Sequence, residues 1–252
     1  MKTVFSEAYL DKREAILGFI QNFESSGAYL NKGDRNSIKI FDLGTKKINI
    51  KSFKIPNAVN KFAYRFLRKS KAERSFNYAE ILISKNIGTP YPIAYIEKDT
   101  ALAFKKSYYI SEHLECDLTY RELVHDPSFP QREELLRAFT RFTYNLHEEG
   151  IEFLDHSPGN TLILLNNGDY QFFLVDLNRM NFKELTFEER MKNFSRLTPY
   201  KEMVQIMASE YSQLIDMPEA EVFKKMWGYT VEFQEKFQRK KKLKKQLKFW
   251  KK

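Results

Sequence analysis

The feature that most restricts the fold of this chain is a short β-hairpin signal inside a stretch that otherwise reads as helix. Residues 161–165, "TLILL", and 170–175, "YQFFLV", are two apolar, strand-like runs separated by "NNGD". Asn-Gly between two such runs is a strong hairpin signal, because the tight turn needs residues that tolerate positive φ. The loop "DHSPGN" at 155–160 precedes the hairpin, and Asp176 follows it at once. In an antiparallel hairpin the residue before the first strand and the residue after the second lie at the same open end. Asn160 and Asp176 are therefore expected to be neighbours, with Asp155 on the loop just before them. Two carboxylates and an amide are hard oxygen donors, and they suit Mg²⁺, which takes one or two protein carboxylates and completes its shell with phosphate oxygens and water. Each residue also has a plain reading: Asp155 as a turn former, Asn160 as a strand start, Asp176 as a cap.

The rest of the chain divides by texture. Residues 10–24 place Ile16, Ile20 and Phe23 on one helical face and stop at Ser25-Ser26-Gly27. Residues 37–54, "SIKIFDLGTKKINIKSFK", read as two strands around a turn near Asp42–Lys46. Residues 70–86 read as a helix ended by "IGTPYP", whose prolines cannot continue it, and "IAYIEK" with "ALAFKKSYYIS" gives a second strand pair. Beyond about residue 115 helix dominates. "QREELLRAFTRFTYNLHEEG" sets Leu135, Phe139, Phe142 and Leu146 on one face, and 187–213 and 218–238 also read as helical. The expected class is α+β in two lobes: a strand-rich N-lobe over 1–110, a mainly helical C-lobe over 111–235, and a basic amphipathic tail over 236–252.

Composition narrows the function classes. With 22 Phe and 14 Tyr in 252 residues the chain has material for a core, and the lone Cys116 excludes an intrachain disulfide or a cysteine-cluster metal site. The four histidines show no metal-ligand spacing. The first 19 residues carry charges throughout, unlike a signal peptide, and no apolar run has a membrane-spanning length, so a cytoplasmic protein is expected. The net charge of +9 is local: the ten basic residues of 236–252, taken from 42, leave 32 against 33 acidic residues. A near-neutral body argues against a broad nucleic-acid-binding face. In the tail, Leu243, Leu247 and Trp250 lie at i, i+4 and i+7 in a field of lysine, a pattern suited to an anionic membrane surface, with nucleic acid as the competing partner.

Asp155, four residues, Asn160, a hairpin and Asp176 resemble the catalytic loop and metal-binding segment of protein kinases, and "LHEEGIEFLD" resembles their lead-in. More narrowly, "LDHSPGNTL" with "LVDLNRMNF", and upstream "INIKSF", "RKSKAERSFNYA" and "IGTPYPIAYIE", resemble the lipopolysaccharide kinases of the Kdo/heptose kinase family, particularly Bacteroidetes-type members, over about residues 30–200. The resemblance implies a protein-kinase-like fold with ATP between the lobes. It also implies a phosphotransferase that uses Mg²⁺ and phosphorylates a sugar hydroxyl of lipopolysaccharide or a precursor, peripheral on the inner face of the cytoplasmic membrane. By position, Asp155 would be the base, Asn160 and Asp176 the metal ligands, and Lys51 the strand lysine on the nucleotide phosphates, with Lys39, Lys47 and Lys54 as competitors. Gly33 and Asn36 would lie in the phosphate-covering loop, and adenine would sit near the backbone of Glu112–Leu114. The chain departs from the pattern in four places. Asn77 stands where the helix glutamate is usual, with Glu73 and Glu80 as substitutes on the same face. The loop at Gly33 has one glycine, Leu177-Asn178 follows Asp176 instead of Phe-Gly, and Leu154 precedes Asp155 where many protein kinases have Arg. Asn77 and the single-glycine loop keep open a pseudokinase acting as a nucleotide-binding or membrane-bound interaction module, and the basic tail keeps open a nucleic-acid-associated protein on a kinase scaffold. The lack of Arg before Asp155 argues against a regulated protein kinase.

Overall fold

Alternation along "KKINIKSF" decides which side chains share a face. In a computed structural model, which describes residues 1–33, 36–53, 69–99, 104–166 and 168–249, this segment is a strand (Lys46–Phe53) with Ile48 and Ile50 fully buried. Because strand side chains alternate, Asn49, Lys51 and Phe53 point to the opposite face. The chain forms two compact units, one of Met1–Glu115 with Leu174–Arg179, the other of Cys116–Phe173 with Met180–Lys252.

The first unit is built on a six-stranded antiparallel sheet of β1 (Lys2–Phe5), β2 (Ala28–Lys32), β3 (Asn36–Leu43), β4 (Lys46–Phe53), β5 (Pro92–Asp99) and β6 (Phe104–Glu112), in the order β1-β5-β6-β4-β3-β2. On one face, Ile16 and Ile20 of α1 (Arg13–Gln21) and the following Phe23 pack on Phe41, Ile48, Ile50 and Ile110. On the other, Ala72 and Phe76 of α2 (Lys71–Ser84) pack on Phe53 and Tyr95. Ser70 caps α2 by accepting from the Glu73 N–H at 3.0 Å. The expected helix over 10–24 is shorter, a 3-10 turn (Glu7–Lys12) leading into α1. The edge strands β1 and β2 carry no sequence signal: the first is four residues long, and the second is exposed throughout and shows no alternation.

The second unit holds the hairpin. β9 (Thr161–Asn166) pairs with β10 (Asp169–Leu174) across a turn with Gly168 at φ 95°, and β7 (Leu118–Thr119) adds a third strand beside β9. A second small sheet pairs β8 (Ile151–Phe153) with β11 (Met180–Phe182). The helices α3 (Tyr120–His125), α4 (Arg132–Glu148), α5 (Phe187–Asn193), α6 (Lys201–Leu214) and α7 (Glu219–Phe249) surround a core that includes Tyr120, Leu135, Phe139, Met207, Tyr211 and Met226. The α4 stripe expected from the sequence is buried except at Phe142, which is half-buried. Replacing the fully buried Phe139 by Ala would cost about 3–5 kcal/mol.

The helix expected over 187–213 is interrupted. α5 gives way to a 3-10 turn (Phe194–Arg196), and α6 starts only after Pro199, which cannot continue a helix. The break leaves Asn193 and Arg196 at a helix end instead of within a helical wall. The lysine-rich segment is the continuation of α7, and from Glu235 onward every described side chain is exposed. Trp250 and the side chain of Leu247 lie outside the described residues.

Candidate active site

In the first unit the candidate strand lysine, Lys51, and Asp176 meet directly. Lys51 Nζ lies 2.8 Å from Asp176 Oδ1, with the lysine side chain 11% exposed. Asp176 reaches this unit because Leu174 is bound to the loop after α2: Leu174 N–H donates to the Gly88 carbonyl at 2.8 Å, and the Thr89 hydroxyl donates to the Leu174 carbonyl at 2.8 Å. That is the structural use of "IGTPYP". Asp176 has φ 62°, left-handed backbone that short polar side chains tolerate best. Such strain costs on the order of 1–3 kcal/mol and marks a side chain that must be aimed. The buried Asn178 amide donates to the same Oδ1 at 2.5 Å. Both contacts fall on one carboxylate oxygen.

The competing lysines are otherwise engaged. Lys39 is buried, and its Nζ donates to the carbonyls of Phe23 (2.6 Å), Glu24 (3.2 Å) and Ser26 (2.8 Å), binding together the chain that leaves α1. Lys47 pairs with Glu115 at 2.8 Å, and Lys54 lies outside the described residues. Of the candidate partners on α2, Glu73 is taken by Lys2 at 3.0 Å. The carboxyl of Glu80 is pushed up by loss of water around it.

The proposed nucleotide contacts are placed as follows. Gly33 N–H donates to the Asn36 carbonyl at 3.1 Å and is thereby occupied; Asp34 and Arg35 between them lie outside the described residues. The Asn36 side-chain oxygen is buried with no hydrogen-bond partner among the described residues. Glu112 N–H donates to the Tyr91 carbonyl and His113 N–H to the Lys47 carbonyl, each at 2.9 Å. Leu114 is therefore the residue of this stretch whose N–H donates to no backbone carbonyl among the described residues. The Glu112 carboxylate accepts from Tyr9 and from Lys46 (2.5 Å), and although burial pushes its pKa up, these two donors hold it below the usual carboxylate range.

In the second unit the loop 155–160 is held from beneath. Asn160 Nδ2 donates to the Asp155 carbonyl at 2.8 Å, which fixes the amide so that its oxygen is the end left for other partners. Arg196 Nη1 donates to the Leu154 carbonyl at 2.8 Å and to Asp155 Oδ1 at 2.9 Å. Its guanidinium lies over the Phe233 ring of α7, 5.5 Å from the centroid, a cation–π contact that restricts where it can go. Asn193 Nδ2 donates to the Phe153 carbonyl at 2.9 Å, while its oxygen meets His156 Nδ1 (3.2 Å) and His147 Nε2 (3.3 Å). The other His147 nitrogen, Nδ1, takes the Tyr211 hydroxyl at 2.8 Å. One proton assignment satisfies all three contacts, with both histidines neutral and each donating to Asn193. Burial pushes His147 down to about 3 and His156 to about 4, so both stay uncharged near neutral pH.

Arg196, Asn193 and Asn178 were not identified from the sequence. Leu154 in place of arginine was the available clue to Arg196, since a loop aspartate without its neighbouring guanidinium invites one from elsewhere. Each unit by itself offers one hard oxygen donor of the kind that suits a cation such as Mg²⁺: in the second, the Asn160 amide, whose nitrogen is already engaged; in the first, the Asp176 carboxylate, whose contacts with Lys51 and Asn178 fall on one oxygen. Among the described residues no helix is long and apolar enough to cross a membrane.

Three comparisons with known proteins place the chain. No curated protein matches it. Among solved structures, that of WaaP in complex with acyl carrier protein is similar in fold, with a TM-score of 0.65 at 15% identity over 95% of this chain and 99% of that one. The sequence pattern of the family described as "Lipopolysaccharide kinase (Kdo/WaaP) family" matches residues 46–218, more than half of the chain and a span that includes Lys51, Asp155, Asn160 and Asp176. With its sheet-rich N-terminal region and helical C-terminal region of WaaP-like fold, the chain belongs to the lipopolysaccharide kinase (Kdo/WaaP) family.

Proposed function

We propose that the protein transfers the γ-phosphoryl group of ATP to a sugar hydroxyl of lipopolysaccharide core or a precursor. The observation that supports this reading is the Lys51–Asp176 pair within the first unit, with Asp155 held by Arg196 within the second. Asp155 would accept the proton of the attacking hydroxyl; the hydroxyl oxygen forms a bond to the γ-phosphorus while the bond to the β-phosphate bridging oxygen breaks, and ADP leaves with that electron pair. Lys51 would neutralise phosphate charge, Asn160 and Asp176 would hold Mg²⁺, and the Leu114 N–H would receive the base. Bound Mg²⁺ supplies charge neutralisation of the phosphates. Gly33 and Asn36 would border the phosphate loop. The basic end of α7 would keep the enzyme at an anionic membrane surface on the cytoplasmic side, at roughly 1 kcal/mol per engaged lysine or arginine.

One observation favours a second reading. Lys51 is paired with Asp176 and not with a glutamate of α2, as a nucleotide-binding pseudokinase would allow. Labelled γ-phosphate supplied as Mg-ATP with purified rough-type lipopolysaccharide separates the two. Label in the glycolipid supports the kinase, and Mg-dependent ATP binding without label supports the pseudokinase. Capture by nucleic acid in preference to anionic vesicles, abolished by deleting 236–252, would instead favour a nucleic-acid partner.

A further inference from the structure

One arginine beside the 155–160 loop makes no side-chain hydrogen bond or ion pair among the described residues. Arg121 is the second residue of α3, held in place by the buried Tyr120 and Leu123 on either side and by a capping box between Thr119 and Glu122. The Glu122 carboxylate is committed to that cap, accepting from the Thr119 N–H at 2.8 Å and the Thr119 hydroxyl at 2.6 Å. The Arg121 side chain is exposed, and among the described residues its guanidinium has no hydrogen-bond or ion-pair partner. Other arginines of this unit are paired: Arg137 and Arg141 with Glu210, Arg190 with Glu148, Arg196 with Asp155.

The guanidinium of Arg121 nevertheless has a definite position. It lies against Gly159, so close that a Cβ there would fall 2.5 Å from Nη2 and 3.4 Å from Cζ. The backbone of Gly159 does not adopt a positive φ, so conformation does not demand glycine here. Its missing side chain is what admits the guanidinium. Gly159 lies four residues after Asp155 and immediately before Asn160. A cation whose one charged neighbour, Glu122, is committed to the helix cap thus stands against the loop that carries the proposed base. A guanidinium is a planar fork that matches carboxylate and phosphate oxygens two at a time.

We infer that Arg121 binds an anionic substituent, phosphate or carboxylate, of the acceptor glycan and so orients the hydroxyl to be phosphorylated. This rests on the phosphotransfer reading and names the acceptor feature that the second unit recognises. The anion is assigned to the acceptor because Asp155, which that reading places on the attacking hydroxyl, lies in the same unit and on the same loop as Gly159.

The test uses the full-length protein with rough-type lipopolysaccharide in three forms: untreated, stripped of phosphate, and amidated at its carboxylates. Binding of each form without ATP, and initial rates with Mg-ATP, are measured for wild type, Arg121→Gln, Arg121→Lys and Gly159→Ala. Arg121→Gln is expected to weaken acceptor binding and raise the acceptor KM about ten- to a hundred-fold, the size of a charge-assisted contact, with the KM for ATP unchanged. Arg121→Lys is expected to recover part of the loss. Gly159→Ala, which displaces the guanidinium and keeps the charge, should show a smaller loss of the same kind. If the anion is phosphate, the stripped acceptor binds wild type as weakly as the untreated acceptor binds Arg121→Gln; if carboxylate, the amidated form does. Unchanged acceptor affinity in Arg121→Gln, or a rise in the KM for ATP instead, overturns the inference. Arg121-dependent binding with no phosphate transfer by wild type would reject the phosphotransfer reading and leave the anion site standing.

Discussion

The two units secure their candidate carboxylates, Asp176 and Asp155, by different means. In the first, Asp176 is held by direct saturation: a lysine from the sheet and an amide two residues on converge on one oxygen, and the backbone is strained to present it. In the second, Asp155 sits in ordinary loop backbone and is held through its surroundings. Arg196 grips both its side chain and the preceding carbonyl, while Asn193 and two neutral histidines hold the turn on either side. On the proposed assignment, a cation ligand has to stay in place and a proton acceptor has to be oriented toward the incoming hydroxyl. The difference in support matches the difference between these two proposed tasks.

The comparison can be broken most sharply at Arg196. Arg196→Ala is expected to lower kcat about a hundred-fold, as for a base displaced by about 1 Å, while the KM for ATP stays within a factor of two. Arg196→Lys should retain part of the rate, because one of the two contacts can be remade. Steady-state rates in both substrates check this, and an unchanged kcat would mean that Arg196 only supports the fold.

A smaller effect is expected from the buried histidines, and it belongs to the second unit alone. Both have folded pKa values below that of the unfolded chain, so they remain neutral in the fold while the unfolded chain takes up protons. Their contribution is fully present above about pH 6.5 and declines as pH falls toward 4. Between pH 6.5 and 5 each should cost about 2 kcal/mol of stability. Urea unfolding across that range measures the slope, and His156→Phe should reduce it by about half. A slope unaltered by that substitution would show that His156 takes up protons in the fold as readily as in the unfolded chain.

The smallest effect concerns the first unit. Glu73 is bound to Lys2 in an ion pair open to solvent on the lysine side, an arrangement worth at most about 1 kcal/mol. Glu73→Gln should therefore leave the transfer rate within about a factor of two. A large loss would mean that Glu73 turns to Lys51 during the reaction, which would make the first unit less static than the comparison supposes.

These results also show where sequence reading stopped. The hairpin and the helix over 132–148 were legible because their patterns are local: Asn-Gly between apolar runs, and a stripe at helical spacing. Lys51 could be preferred over Lys39 only by motif position, since both stand on strands, and what removes Lys39 is a set of carbonyls near residues 23–26 that no local pattern announces. Arg196 was illegible for the same reason. It lies 41 residues from Asp155, and only the break at Pro199, read too smoothly as continuous helix, exposes it at a helix end. The edge strands escaped because four residues, or five exposed ones, carry no period to detect.

The most direct test of the central claim measures ATP binding and phosphate transfer side by side in wild type, Asp155→Asn and Asp176→Asn, with rough-type lipopolysaccharide as acceptor. The account predicts that Asp155→Asn binds Mg-ATP normally and transfers nothing, and that Asp176→Asn loses the Mg-dependence of ATP binding together with transfer. Equal transfer by wild type and Asp155→Asn, or Mg-dependent binding that survives in Asp176→Asn, would contradict the division of labour between the two carboxylates.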